Sequence, residues 1–274
     1  MDIYQNIVGF YERVKTEKRV IGKSLFGRNL YAVKIGFGSP VGIAQYAIHG
    51  REWITARLAL SHYERGVFCG SLWILPLMNP DGALLCQRGL ESVEDRKAKS
   101  ALLQMNGGED FSLWKANGRG VDLNVNFPAR WGEGIKNVRA AGSENFIGKT
   151  PFSEPETLAL KEFTEEIFPD YTVSYHTKGE EIYWYFNQPD LFLKRDRELA
   201  EILSRSTGYK SAYAVGSVGG YKDWCIEKFG IPSFTIEAGR NEFTHPLQEE
   251  ALSDILCRNR NALYDLTKGF LCED

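Results

Sequence analysis

A chain of 274 residues with 43% hydrophobic side chains can bury a substantial core, and its formal net charge of -3, with no basic footprint, argues against a nucleic-acid partner. No stretch approaches about eighteen uninterrupted apolar residues, so no membrane span is expected, and the N-terminal MDIYQNIVGFYERVKTEKRV lacks the apolar core of a signal peptide. The five cysteines, Cys69, Cys86, Cys225, Cys257 and Cys272, are odd in number and show no CxxC spacing; reduced thiols in a cytoplasmic protein are the expectation, unless an export segment has been removed.

Short apolar runs alternate with longer amphipathic ones, the pattern of an α/β domain built on a largely parallel or mixed sheet. In chain order, AQYAIH (44–49) predicts a strand ending at His49, and ITARLALSHYERG (54–66) a helix. LWILPLMN (72–79) predicts a strand ending at Asn79, PETLALKEFTEEIF (155–168) a helix, and YTVSYH (171–176) a strand ending at His176. DLFLKRDRELAEILSRS (190–206) predicts a helix, IPSFTIEAG (231–239) a strand carrying Glu237, and LQEEALSDILCRNRNALYDLTKGF (247–270) a C-terminal helix. The glycine-rich QMNGGEDFSLWKANGRG (104–120) reads as a surface excursion, and with no linker or repeat the whole chain, 1–274, is expected to form one domain.

In open α/β sheets, ligand sites gather outside the carboxyl ends of the strands, so polar residues at several such ends are expected to converge. A catalytic zinc usually takes three protein ligands, two of them close in sequence, and His49 and Glu52 have that spacing across a turn. Gly50 is expected to let the chain bend there. Of the remaining histidines, His62 lies in a predicted helix and His245 beside Pro246 in a loop, which leaves His176 as the natural third ligand. Hydrolysis also needs a carboxylate outside the ligand set and a cation for the oxyanion. Glu237 supplies the first, Arg51 and Lys115 are candidates for the second, and Asp122 is placed to accept the free N–H of His49.

These residues, in this order, resemble the zinc metallocarboxypeptidase family. HGREW (49–53) looks like its His-x-x-Glu pair, NPDG (79–82) its strand-ending turn, and GVDLN (120–124) its Asp-x-Asn element. SYH (174–176) is similar to the third-ligand strand, GGYKDW (219–224) to the specificity-pocket segment, and FTIEAG (234–239) to the strand with the catalytic glutamate. The resemblance implies a single α/β domain with a central mixed sheet of about eight strands flanked by helices. It further implies one zinc ion on His49, Glu52 and His176, Glu237 as general base and acid, Arg51 and Asn124 on substrate, and Lys115 in the role of a carbonyl-polarising arginine.

Two departures narrow the expectation. True carboxypeptidases carry an arginine for the terminal carboxylate where this chain has Val125, and their capping tyrosine falls near Val215, so that Tyr213 or Tyr221 would have to substitute. Lys222 sits where the side-chain pocket has its floor and favours an anionic group. Together with YHTKGEEIYW, FSEPET and FTIEAGR, this is similar to the bacterial branch that cleaves γ-D-glutamyl-diaminopimelate bonds in peptidoglycan-derived peptides. In that reading Lys222 meets the distal carboxylate, Glu180 or Glu181 the distal amine, and the chain trims imported or recycled muropeptides. The alternatives are a zinc carboxypeptidase removing acidic C-terminal residues and a catalytically silent zinc module that binds wall peptides.

Overall fold

The computed structural model describes residues 1–214 and 216–271, so Cys272 lies outside the described residues. Among these, the strands are β1 (Lys18–Lys23), β2 (Asn29–Gly36), β3 (Val41–Tyr46), β4 (Ser71–Leu75), β5 (Tyr171–His176), β6 (Glu181–Tyr183), β7 (Lys210–Ala212) and β8 (Ser233–Glu237). The helices are α1 (Ile3–Arg13), α2 (Thr55–Arg65), α3 (Pro80–Arg88), α4 (Arg96–Asn106), α5 (Pro155–Ile167), α6 (Asp190–Thr207), α7 (Tyr221–Phe229), α8 (Glu249–Asn259) and α9 (Ala262–Gly269).

The strands form one mixed sheet in the order β1-β2-β4-β3-β5-β8-β6-β7, with β4, β3, β5 and β8 mutually parallel at its centre. Those four are apolar runs buried almost throughout, as expected of parallel strands covered on both faces. The edge strand β1 is instead half exposed and carries Lys18, Arg19 and Lys23, charges that discourage pairing with another chain. Period-two alternation splits the sheet into two faces. Tyr46, Val173, Tyr175, Phe234 and Ile236 pack with α1, α2, α6, α8 and α9, while Ile43, Trp73 and Leu75 pack with α5 and α7.

Four expectations need correction. The strand expected to reach Asn79 ends at Leu75, before Pro76, and the one expected to reach His49 ends at Tyr46; Ala47 then turns into the left-handed region at φ 49°. The single C-terminal helix is two, because the Asn259 carbonyl accepts a bond from His62 Nε2 at 2.8 Å and the Asn259 amide donates to the Tyr209 hydroxyl at 2.9 Å, which turns the chain between α8 and α9. The glycine-rich excursion is not wholly on the surface: Phe111, Trp114 and Ala116 form a small buried cluster with Leu102 of α4 and Leu85 of α3.

His62 is itself buried, between the Tyr46 hydroxyl, which donates to Nδ1 at 2.6 Å, and the Asn259 carbonyl. Burial pushes its pKa down from 6.5 to about 4, only partly opposed by that carbonyl. The folded state therefore binds fewer protons than the unfolded chain between these values: the contribution is complete above pH 6.5 and is lost as pH falls toward 4. Metal-free protein unfolded with urea at pH 7.5 and pH 5 should lose about 2 kcal/mol more stability on acidification than His62→Gln does. Equal losses in the two proteins would refute this.

Candidate active site

The ends of β3, β5 and β8 meet at one spot. Beyond β3, the Ala47 amide is held by Thr55 Oγ1 and its carbonyl by the Asn79 amide, so the chain to His49 is fixed before the site begins. Gly50 is needed for close approach rather than for the expected bend: it does not adopt a positive φ, but a Cβ there would lie 2.5 Å from the Gly82 carbonyl carbon and 2.8 Å from the Trp114 oxygen. Asn79 ties the same crossing together. Its Oδ1 accepts from Gly82 N at 2.8 Å and caps α3, while its Nδ2 donates to the carbonyls of Ile48 and Ala116.

This crossing brings His49, on the turn, and Glu52, in the short 3-10 helix Gly50–Glu52, against His176 at the end of β5. His49 Nδ1 lies 2.9 Å from Glu52 Oε1, His176 Nδ1 lies 2.9 Å from Glu52 Oε2, and the two Nδ1 atoms are 3.1 Å apart. All three side chains are buried. Asp122 Oδ1 is 3.1 Å from His49 Nε2 and, being only an acceptor, places the ring proton on that nitrogen, so the Nδ1 lone pair faces Glu52 and His176. A buried group of imidazole lone pairs and a carboxylate, with ligand atoms all within 4.8 Å of one another, is the donor set of a dication such as zinc.

Electrostatics follow the same geometry. Burial alone would raise the pKa of Glu52, yet His49 and His176 hold it well below the usual carboxylate range. Burial likewise works against ionising Asp122, but Lys115, whose Nζ is 2.7 Å from Oδ2, and His49 keep it well below that range. The Asp122 carboxylate also accepts from the amides of Asn124 and Asn145. Glu237, at the end of β8 and paired in register with His176, is different: desolvation raises it to about 7, with His176 opposing and Glu52 adding to the rise. A carboxyl poised near neutrality beside the ligand group can take up a proton and return it.

These groups open into a cavity of about 520 Å³ lined by His49, Lys115, Asn124, Val125, His176, Tyr183, Lys222, Asp223, Thr235 and Glu237, among others. Lys222 is 5% exposed; its Nζ donates to Asp223 Oδ1 at 2.5 Å and to the Tyr185 carbonyl at 3.1 Å. Asn124 gives its Oδ1 to the Tyr221 amide, leaving its NH₂ to the cavity.

Five expected residues lie elsewhere. Arg51 is not part of the lining and pairs with Glu144 at 3.2 Å. Tyr221 is fully buried, its hydroxyl bonded to Thr164 at 2.8 Å, because helix α7 turns that side chain into the core. Glu180 pairs with Arg258 at 3.4 Å, and the Glu181 carboxylate accepts from the Tyr183 hydroxyl. Tyr213 packs at a tilt against Trp184 and edge-on against Tyr185 in a separate groove, and Val215 lies outside the described residues. Sequence reasoning missed Asp223, Tyr183 and Thr235. Thr235 was findable, since it stands two residues before Glu237 on the same strand and so on the same face.

The family model described as zinc carboxypeptidase matches residues 70–261. The γ-D-glutamyl-L-diamino acid endopeptidase 1 of Lysinibacillus sphaericus is 32% identical over 248 residues, 84% of this chain; the chain spans 62% of that protein's length. Murein peptide amidase A of Escherichia coli K12 is 34% identical over 122 residues, 41% of this chain and 47% of that protein. The solved structure of bovine thrombin-activatable fibrinolysis inhibitor, in complex with tick carboxypeptidase inhibitor, has a TM-score of 0.76 at 18% identity. It covers 99% of this chain and 97% of that one, a likeness of fold.

If Asp122 sets the His49 tautomer, Asp122→Asn should weaken zinc binding roughly 10- to 100-fold. Competition against a chromophoric chelator reads this directly, and an affinity within about twofold of wild type would contradict it.

Proposed function

The chain belongs to the zinc carboxypeptidase family of metallopeptidases, and from that premise we propose that it hydrolyses the amide between γ-D-glutamate and diaminopimelate in peptidoglycan-derived peptides. The observation that carries this reading is the buried Lys222–Asp223 ion pair on the cavity wall. A buried cation favours an anionic substrate group, and the carboxylate beside it favours a cationic one. A diamino acid whose side chain ends in both an ammonium and a carboxylate presents both. Asp223 thereby takes the part first expected of Glu180 or Glu181. The names of the endopeptidase and the amidase among the relatives support the same substrate class.

His49, Glu52 and His176 would hold the zinc, which supplies Lewis acidity and an activated water. Glu237 accepts the water's proton and delivers it to the leaving amine, a task suited to a carboxyl at the end of β8 that stands beside the ligand group without belonging to it. Lys115 is held by Asp122 at the cavity wall, where its ammonium offsets negative charge developing on the scissile carbonyl oxygen. It does so as a point charge, without the forked geometry of an arginine. Val125, on the same lining, offers no charge to a terminal carboxylate.

Mass spectrometry of L-Ala-γ-D-Glu-meso-diaminopimelate incubated with zinc-loaded protein should show free diaminopimelate. Glu237→Gln should retain zinc and lose roughly 10²- to 10⁴-fold in turnover. Release of glutamate from an α-linked peptide, with no diaminopimelate from the tripeptide, would instead establish an acidic-residue carboxypeptidase. Lys222→Met should raise KM for the tripeptide by about tenfold or more, the worth of one lost charge-assisted contact; unchanged kinetics would remove Lys222 from recognition.

A further inference from the structure

We infer that Lys136 is the anchor for the substrate carboxylate next to the scissile amide, on the released diamino-acid side, and so supplies the charge that Val125 cannot. This rests on the peptide substrate proposed above. Three lysines line the cavity, Lys115, Lys136 and Lys222. Two of them already have parts to play: Lys115 is held by Asp122 at 2.7 Å beside the ligand group, and Lys222, paired with Asp223 at 2.5 Å, is assigned above to the far end of the substrate side chain. Near the site, Arg51 is paired with Glu144 and Arg139 lies over the Trp131 ring. Among the described residues Lys136 has no carboxylate partner, and it is solvent-exposed, so its charge carries little desolvation cost before substrate arrives.

Its backbone is nevertheless fixed. Ile135 N donates to the Gly216 carbonyl at 3.0 Å, and the 134–137 turn closes on itself through Gly134 N to Asn137 Oδ1 at 2.8 Å and Asn137 N to the Gly134 carbonyl at 3.0 Å. Gly216 adopts φ 74°, a backbone conformation that L side chains rarely take, which keeps this turn a glycine. The Val125 segment borders the same stretch of chain: Phe127 N donates to the Gly219 carbonyl at 3.0 Å, and Gly216 and Gly220 line the cavity between them. Lys136 and Val125 thus flank one wall, where Asn124, Asn137 and Asn145 add neutral polar groups. A carboxylate bound there is met by one mobile ammonium and by amides, in place of a guanidinium fork.

The test compares the tripeptide with its counterpart carrying a carboxamide in place of that one carboxylate. Wild type should prefer the acid, and Lys136→Met should raise KM for the acid about tenfold while changing kcat less than about twofold and leaving the amide unaffected. Adding Val125→Arg to Lys136→Met should recover part of the preference. A Lys136→Met effect equal on both substrates, or absent from both, overturns the inference. Calorimetric binding of the two peptides to zinc-loaded Glu237→Gln protein, with and without Lys136→Met, reads the anchor without turnover. A Lys136-dependent acid preference there, without diaminopimelate release by wild type, would sink the hydrolysis reading alone; no such preference would sink the anchor.

Discussion

The rest of the structure answers to one costly arrangement: two imidazole nitrogens 3.1 Å apart, both facing one buried carboxylate. Left to itself, such a group would move apart or admit water, because converging lone pairs repel and buried polar groups need partners. It stays together because each ligand is set by a rigid element. The parallel strands β3 and β5 fix the spacing of the turn at 47–49 and of His176, and the close crossing of Gly50 with Gly82 and Trp114 locks Glu52 between them. Asp122, itself held by Lys115 and two backbone amides, orients His49 from behind.

The same principle divides the charged residues of the cavity into those already satisfied and those kept for a ligand. Lys115 and Asp122 neutralise one another, which lets both be buried beside the ligand group. Lys222 and Asp223 do likewise, but both also line the cavity, so a zwitterionic group can exchange partners with them. Among the described residues Glu237 has no cation at salt-bridge distance, and it sits where burial favours its proton, which separates its chemistry from that of Glu52. Two carboxylates at one site thus differ in role because their neighbours differ.

Much of the site was legible because its residue types are rare and stand at strand ends. His49, His176 and Glu237 each close or follow an apolar run, Glu52 stands three positions after His49, and four histidines in the whole chain leave few ways to complete a ligand set. The substrate side was read less well. Tyr221 and Lys222 are neighbours in sequence, yet helical geometry sends the tyrosine into the core against Thr164 and the lysine to the cavity. Arg51 stands between two of the ligand-group residues and still turns to Glu144, since a 3-10 turn points successive side chains in different directions. Glu180 is drawn off by Arg258 from α8, some 78 positions further along the chain and invisible to local reading.

By itself the sequence determined the α/β class, the four central strands and the residues able to form the metal centre. Burial periodicity and the chemistry of donor atoms are local properties that survive without coordinates. Only the tertiary structure decided which charges are spent on one another and which remain for a substrate. That Asp223 pairs with its neighbour Lys222, that Asp122 lies beneath Lys115, and that Lys136 has no carboxylate partner among the described residues follow from how the fold turns and buries each side chain. Ion pairing depends on separations of a few ångströms and on burial, and neither is encoded in any single stretch of residues.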